Sequence, residues 1–233
     1  EEARKTVMPL PGESGPTETR QLIIPPRLTE DEDGERQRPY RPGTSDIAVV
    51  GAGALGTWFA VALGLAQLRG RRVHLYDGDH VEETNLNRQV LFFDALGRPK
   101  APALAGRLQR LFPATDWAGY GMVIDRLTCP HVGDRDVLVA CPDSFAVRAF
   151  LNDVARMRRQ PLLSGGTSAV GGSCSAYVPG NTPCLACLID VERLAQREAE
   201  PRPCAAQAEA SVVTSNAVTG ALMVWMLQEM VAG

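Results

Sequence analysis

Three glycines that follow a short apolar run could bind a phosphate. The run at residues 47–50 ends on the motif Gly51-x-Gly53-x-x-Gly56, and an apolar stretch of helical character follows it. In this arrangement the first glycine permits a tight turn, the second lets the backbone approach a phosphate, and the third allows close packing of helix on strand. The N-terminus of the helix offers N–H groups and a partial positive charge to the anion. The motif therefore predicts a nucleotide site.

An acidic residue stands where a ribose is usually bound. Asp77 ends the next strand-like run, at residues 72–77, and follows the glycines at the separation at which an acid commonly binds ribose hydroxyls. The glycines and this acid suit NAD as well as ATP. A nicotinamide-dependent oxidoreductase is therefore the competing interpretation of the motif taken alone.

Further polar segments distinguish the two nucleotides. Asp79 follows Asp77, then come Asn85-Leu86-Asn87-Arg88-Gln89 and Lys100, and Asp143 follows an apolar run at residues 138–140. Taken with the glycine turn, these segments resemble the ubiquitin-activating-enzyme superfamily, which includes the bacterial ThiF and MoeB enzymes. The resemblance covers residues 46–231, and the chain is identified as a minimal, bacterial-type member.

The resemblance implies an ATP-dependent adenylyltransferase and gives each polar residue a role. Adenylation builds negative charge on the phosphate oxygens and on the leaving pyrophosphate, so fixed cations and a metal ion stabilise it. By resemblance, Asp77 holds the ribose with Asp79 nearby, Arg88 and Lys100 contact the ATP phosphates, Asn85 and Gln89 shape the pocket, and Asp143 binds Mg²⁺. An alternative for Asp143 is that it caps the helix that begins near Ser144.

The resemblance also implies partners. In the superfamily the adenylated carboxylate is the C-terminus of a ubiquitin-like or sulfur-carrier protein, and a downstream conjugating protein and a homodimer are further expectations. Members commonly use an arginine near the N-terminus that reaches ATP across the dimer, for which Arg36, Arg38 and Arg41 are candidates by location alone. A peptide or a modified tRNA base as acceptor, and a scaffold subunit without activity, are alternatives.

The cysteines suggest two further sites. Cys184 and Cys187 form a Cys-x-x-Cys pair, which is typically half of a four-ligand zinc site, and Cys174 or Cys204 could complete it. By resemblance, Cys204 is also the candidate that takes the acyl group from AMP and forms a thioester. The neighbouring Arg202 would favour its thiolate. The alternative for Cys204 is an inert loop cysteine.

The elements that must position these residues alternate between strands and helices. We predict strands within residues 47–50, 72–77, 122–124, 136–140, 161–164 and 174–178, and helices over residues 54–68, 99–111, 144–159, 190–200 and 212–231. This alternation predicts a Rossmann-like, doubly wound and mostly parallel sheet with helices on both faces. Residues 179–211 are predicted to form a crossing loop before the closing helix.

Composition divides the 233-residue chain into two regions and argues against a nucleic-acid-binding or membrane-spanning protein. Residues 1–45, rich in proline and acidic residues, predict an extended N-terminal arm that packs on a partner or another subunit, and residues 46–233 predict the adenylation domain. The net charge of −3 lacks the basic block of a nucleic-acid-binding protein. No apolar run approaches the ~18 residues that a membrane span needs. We expect a reducing, cytoplasmic setting.

Overall fold

The computed structural model describes residues 46–67, 71–200 and 212–232. The strands are β1 (Asp46–Val50), β2 (Arg72–Tyr76), β3 (Asp116–Tyr120), β4 (Val137–Ala140), β5 (Leu162–Thr167) and β6 (Gly172–Tyr177). The helices are α1 (Ala54–Leu65), α2 (Lys100–Leu111), α3 (Pro130–Gly133), α4 (Phe145–Arg158), α5 (Leu185–Leu188), α6 (Val191–Ala199) and α7 (Val213–Ala232), with a 3-10 turn at Glu83–Asn85. Of the helices in the described ranges, none combines the length and apolarity needed to cross a bilayer.

The strand order reverses its direction of winding between β1 and β4. The six strands lie in the order β3-β2-β1-β4-β5-β6, and all neighbours are parallel except β5 and β6. Val50 aligns with both Tyr76 of β2 and Ala140 of β4, so these three strands end at one edge of the sheet. Doubly wound sheets bind their ligands in the crevice outside such ends. The predicted fold class is confirmed.

The central strand is buried on both faces. Ile47 and Val49 of β1 pack with residues of α1, α2 and α7 on one side of the sheet. Ala48 and Val50 pack on the other side with residues of α3 and α4, among them Leu151. Helices therefore cover both faces, as predicted. This burial holds the end of β1, and the glycine turn that follows it, at the centre of the sheet.

One strand lies elsewhere than predicted. The prediction of a strand at residues 122–124 is wrong, because β3 occupies Asp116–Tyr120 and residues 122–124 follow it outside the sheet. β3 is an edge strand in which only Trp117 is buried, so its sequence lacks the apolar run that predicts a buried strand. Position 119 of this strand requires glycine, because a Cβ there would lie 2.2 Å from the carbonyl oxygen of Ala101. α2 therefore packs very closely on β3.

Part of the predicted crossing loop is helical. The helix expected over residues 190–200 is α6, which Asp190 caps by accepting a hydrogen bond of 3.1 Å from the N–H of Arg193. α6 packs against α4. Two predicted regions lie outside the described residues: residues 201–211, which carry Arg202 and Cys204, and the arm at residues 1–45, which carries Arg36, Arg38 and Arg41.

Candidate functional site

Gly51 and Gly56 must be glycines because of backbone contacts. Gly51 has φ +99°, a conformation that favours glycine, and a Cβ there would lie 2.7 Å from the carbonyl oxygen of Cys141. A Cβ on Gly56 would lie 1.9 Å from the carbonyl oxygen of Gly51. The N–H of Gly51 donates to the carbonyl oxygen of Tyr76 at 2.9 Å. The turn is therefore held between the ends of β2 and β4, where the winding reverses.

Gly53 differs because it faces open space. A Cβ there would meet nothing within 4 Å, although the position is the N-cap of α1. Among the described residues, no side chain caps this helix and no acid lies in its first turn. The hydroxyl of Thr57 donates to the carbonyl oxygen of Gly53 at 2.6 Å and ties the turn to the helix. A phosphate could approach this backbone closely and meet the positive end of α1.

Asp77 braces the glycine turn. Its Oδ2 accepts from the N–H of Ala52 at 2.7 Å, and its Oδ1 accepts from the N–H of Asp79 at 2.8 Å. Burial raises the pKa of Asp77, while those two hydrogen bonds and the charge of Lys100 oppose that rise. Each oxygen keeps a further acceptor position. Asp77 can therefore both hold the turn and accept hydrogen bonds from hydroxyls of a ribose.

Replacing Asp77 by asparagine should loosen this turn. The amide has one oxygen for two N–H donors and turns its NH₂ group toward the other donor, so we expect a loss of about 1–3 kcal/mol in the free energy of unfolding. Urea denaturation measures it. Asp116→Asn is the matched control, because Asp116 pairs with Arg72 at 2.8 Å with both side chains more than half exposed, and its loss should cost less than about 1 kcal/mol. Equal losses would contradict the bracing role.

Lys100 is a buried cation at the same strand end. Its Nζ lies 2.9 Å from Oδ2 of Asp79, and its side chain is 8% exposed whereas that of Asp79 is 74% exposed. The N–H of Lys100 also donates to the carbonyl oxygen of Asp79 at 2.9 Å. The structure thus brings Lys100, Asp79 and Asp77 together beside the glycine turn. A cation so held is suited to an anionic ligand at that turn.

The segment at residues 85–89 forms a compact turn with an unsatisfied acceptor. Oδ1 of Asn85 accepts from the N–H of Glu82 at 3.2 Å, and the side chain of Glu82 accepts from the N–H of Asn85 in return. Arg88 donates within its own segment, at 2.7 Å to the carbonyl oxygen of Thr84. Gln89 is 4% exposed, and its Oε1 has no hydrogen-bond partner among the described residues. Such a buried acceptor is suited to a ligand hydroxyl or amine.

Asp143 lies beyond the end of β4, on the other side of β1 from Asp77. It is exposed, and in the part of the chain that the structure describes its carboxylate makes no hydrogen bond and no salt bridge. The alternative that Asp143 caps α4 is wrong, because Ser144 is the N-cap and accepts from the N–H of Val147 at 3.5 Å. The carboxylate is therefore available to a metal ion, at the edge of the sheet where doubly wound folds bind their ligands.

The Cys-x-x-Cys pair forms at the start of α5. The Sγ atoms of Cys184 and Cys187 lie 3.6 Å apart. Burial opposes ionisation of Cys184, but hydrogen bonds from Cys187 and the charge of Arg156 leave its pKa below the ordinary value. Within residues 46–67, 71–200 and 212–232, no third Cys, His, Asp or Glu joins the pair, so Cys174 does not complete it. The pair is half of the ligand set that zinc needs.

Two charged residues at this edge were not predicted. Arg148 of α4 and Glu198 of α6 both bond to the turn that carries Asp143. In the sequence each belongs to a helix with other charges, where a charge is usually solvated. The only available signal was that Arg148 follows Asp143 by little more than one helical turn.

The fold and the site define a class of protein: a doubly wound α/β domain with a glycine turn suited to phosphate at its switch point. A sequence model of the ThiF family matches residues 34–233, and the chain belongs to the ThiF family.

Relatives support this assignment. The chain is 32% identical over 175 residues to adenylyltransferase and sulfurtransferase MOCS3 of Drosophila ananassae, covering 74% of this chain and 37% of the relative. It is 36% identical over 146 residues to sulfur carrier protein ThiS adenylyltransferase of Bacillus subtilis (strain 168), covering 61% of this chain and 43% of the relative. The matched regions thus span less than half the length of these relatives.

Solved structures support the fold. The ATP complex of E. coli MccB superposes with a TM-score of 0.68 at 23% identity, over 82% of this chain and 57% of MccB. PaaA superposes with a TM-score of 0.65 at 19% identity, over 82% of this chain and 57% of PaaA. At these identities the likeness establishes the fold alone.

Proposed function

We propose that this chain binds ATP with Mg²⁺ and adenylates the C-terminal carboxylate of a ubiquitin-like or sulfur-carrier protein. The observation that carries the proposal is the open backbone at Gly53, with Asp77 and Lys100 at the end of one neighbouring strand and Asp143 beyond the end of the other. Membership of the ThiF family and the likeness to adenylyltransferases support this type of reaction. An oxidoreductase would leave the buried acceptor of Gln89 and the cation of Lys100 without a role.

In the proposed reaction a carboxylate oxygen of the partner's last residue attacks the α-phosphorus of ATP. The bond from that phosphorus to pyrophosphate breaks, and an acyl adenylate and pyrophosphate are formed. Arg88 and Lys100 neutralise the charge that builds on the phosphate oxygens. Arg88 has to exchange the carbonyl oxygen of Thr84 for a phosphate oxygen, whereas Lys100 is already held beside the turn by Asp79. Asp77 accepts from the ribose.

Asp143 is the residue that we propose for Mg²⁺. Carboxylate and phosphate oxygens are the ligands that this hard cation prefers, and Asp143 commits none of its acceptor positions to a hydrogen bond within the described residues. When bound, Mg²⁺ would neutralise charge on the phosphates. Asp143 would hold it on the side of the turn opposite Lys100, so that positive charge flanks the phosphates on both sides.

Further steps and partners are proposed from the same resemblance. A thiolate at Cys204 would attack the carbonyl carbon of the acyl adenylate, form a thioester and release AMP. We also propose a homodimer, a downstream conjugating protein, and zinc bound by Cys184 and Cys187 together with ligands outside the described residues. A cytoplasmic setting suits free thiols of this kind.

ATP–pyrophosphate exchange in the presence of small ubiquitin-fold proteins tests the proposal. We expect label to pass from pyrophosphate to ATP only when a partner with a free C-terminal carboxylate is present. Cys204→Ala should keep this exchange and lose any thioester, which non-reducing electrophoresis with a hydroxylamine control detects. Calorimetric titration with ATP–Mg²⁺ and with NAD provides the second readout. Tight binding of NAD without binding of ATP would overturn the proposal in favour of the oxidoreductase.

A further inference from the structure

The turn at residues 142–144 is held from two directions by charged side chains. Arg148 folds back from α4 and donates twice to the carbonyl oxygen of Pro142, from Nε at 3.0 Å and from an Nη at 2.6 Å. Glu198 arrives from α6, and its Oε2 accepts from the Ser144 hydroxyl at 2.9 Å and from the N–H of Phe145 at 2.8 Å. The two contacts bracket Asp143 in the chain. We call this pair of side chains the turn clamp.

The guanidinium of Arg148 lies close to β5 and to the Phe145 ring. A Cβ on Gly166 of β5 would lie 2.6 Å from an Nη of Arg148, so a larger residue there would displace the guanidinium from its present place against the sheet. The guanidinium lies 5.6 Å from the centre of the Phe145 ring. Burial lowers the pKa of Arg148, and the charges of Asp143 and Glu198 oppose that effect. A desolvated charge is costly unless it is well bonded, and the two hydrogen bonds to the carbonyl oxygen of Pro142 supply that bonding.

Glu198 satisfies the N-terminus of α4. Besides the Ser144 hydroxyl and the N–H of Phe145, its Oε2 lies 3.4 Å from the N–H of Ala146. These donors stand directly after Asp143 and would otherwise attract the carboxylate of Asp143, since acids bind readily at helix N-termini. With Glu198 in place, Asp143 makes no hydrogen bond among the described residues. Glu198 thus keeps the neighbouring carboxylate uncommitted.

We propose that Arg148 and Glu198 are positioning residues that hold Asp143 ready to bind the Mg²⁺ of ATP–Mg²⁺. The inference rests on the proposed function, in which Asp143 binds that ion. Asp143 has no anchoring bond of its own within the described ranges, so the turn clamp fixes only the backbone from which its carboxylate extends. A fixed backbone limits the positions that the carboxylate can reach, which suits Mg²⁺ because this ion demands a more regular ligand geometry than Ca²⁺ does.

Binding of ATP at increasing Mg²⁺ concentrations tests the turn clamp without relying on turnover. In Glu198→Gln the Mg²⁺ concentration needed for half of the maximal ATP affinity should rise about tenfold, as expected for a lost charged hydrogen bond, while binding of ATP without Mg²⁺ stays the same. Arg148→Lys, which keeps the charge but loses the paired donors, should act in the same direction. Glu192→Gln, on the exposed side of α6, is the matched control and should change nothing.

Two further readouts separate positioning from a general loss of structure. Hydrogen exchange at the amides of Phe145 and Ala146 should quicken in Glu198→Gln and not in Glu192→Gln. In an Asp143→Ala background, Glu198→Gln should have no further effect on the Mg²⁺ dependence, since the ligand that it positions is gone. An unchanged Mg²⁺ dependence in Glu198→Gln, with wild-type ATP–Mg²⁺ binding intact, overturns the inference alone. Wild-type protein that binds no ATP–Mg²⁺ overturns the proposed function as well.

Discussion

Gly56→Ala should destroy the fold of the glycine turn. The added Cβ would lie 1.9 Å from the carbonyl oxygen of Gly51, a backbone atom that cannot rotate away as a side chain could. Gly51 in turn lies beside the backbone of Cys141, where a Cβ would come within 2.7 Å of the carbonyl oxygen. Gly51 therefore cannot move away from Gly56 unless β1 also moves relative to β4. We expect a loss of about 3 kcal/mol or more in the free energy of unfolding, measured by urea denaturation.

Gly53→Ala is the companion change, and we expect it to weaken ATP binding while largely preserving stability. Gly53 has φ −74°, which alanine adopts readily, and its Cβ would meet nothing within 4 Å, so only the lower preference for alanine at an N-cap should cost stability, by about 1 kcal/mol or less. The methyl group would occupy the space that a phosphate needs. Loss of one or two hydrogen bonds to that anion should weaken ATP binding roughly a hundredfold, measured by calorimetry.

Gly106→Ala controls for the effect of an added methyl group. Gly106 is an exposed interior residue of α2 whose Cβ would also meet nothing within 4 Å, so alanine should stabilise the helix by about 1 kcal/mol and leave ATP binding unchanged. Normal ATP binding by Gly53→Ala would mean that the phosphate does not lie at the open backbone. Full stability of Gly56→Ala would contradict the close contact within the turn.

Much of the candidate site could be predicted because its residues lie beside strand ends. Gly51 follows β1, Asp77 follows β2, and Asp143 lies just beyond β4. Once apolar runs predict parallel strands, the alignment of those strands brings the residues that follow them to one edge of the sheet. Local sequence is then sufficient to predict these site residues, because strand pairing in the sheet supplies the long-range contacts that bring them together. The pairing of Lys100 with Asp79 did not follow in this way, since it depends on how the start of α2 meets the residues after β2.

What could not be predicted depends on contacts across the chain. β3 shows no apolar run, since an edge strand buries few side chains, and its place is determined by pairing with β2. The bonds of Glu198 to α4 join residues 52 to 54 positions apart, and no periodicity encodes which acid of α6 turns inward. The capping of α4 shows the same difficulty at short range. Asp143 and Ser144 are both good cap residues, and only the geometry separates the cap from the free carboxylate.

Asp143→Ala should separate catalysis from stability at that helix start. The carboxylate has no hydrogen bond or salt bridge within the described residues, so the free energy of unfolding should stay within about 0.5 kcal/mol of wild type. If Asp143 holds the Mg²⁺ that neutralises the phosphates, its loss should slow ATP–pyrophosphate exchange by about 100- to 1000-fold, the range found when one fixed stabiliser of a charged transition state is removed.

Ser144→Ala is the adjacent control, and we expect it to lower stability while largely preserving exchange. Its hydroxyl accepts from the N–H of Val147 at 3.5 Å and donates to Glu198 at 2.9 Å, so its removal should cost about 1 kcal/mol of stability. Glu198 keeps its bond to the N–H of Phe145, so the turn should remain in place and exchange should fall less than about tenfold. If Asp143→Ala instead lost stability and kept exchange, the carboxylate would serve α4 and not the metal. The two adjacent side chains would then have the same role, against the geometry that separates them.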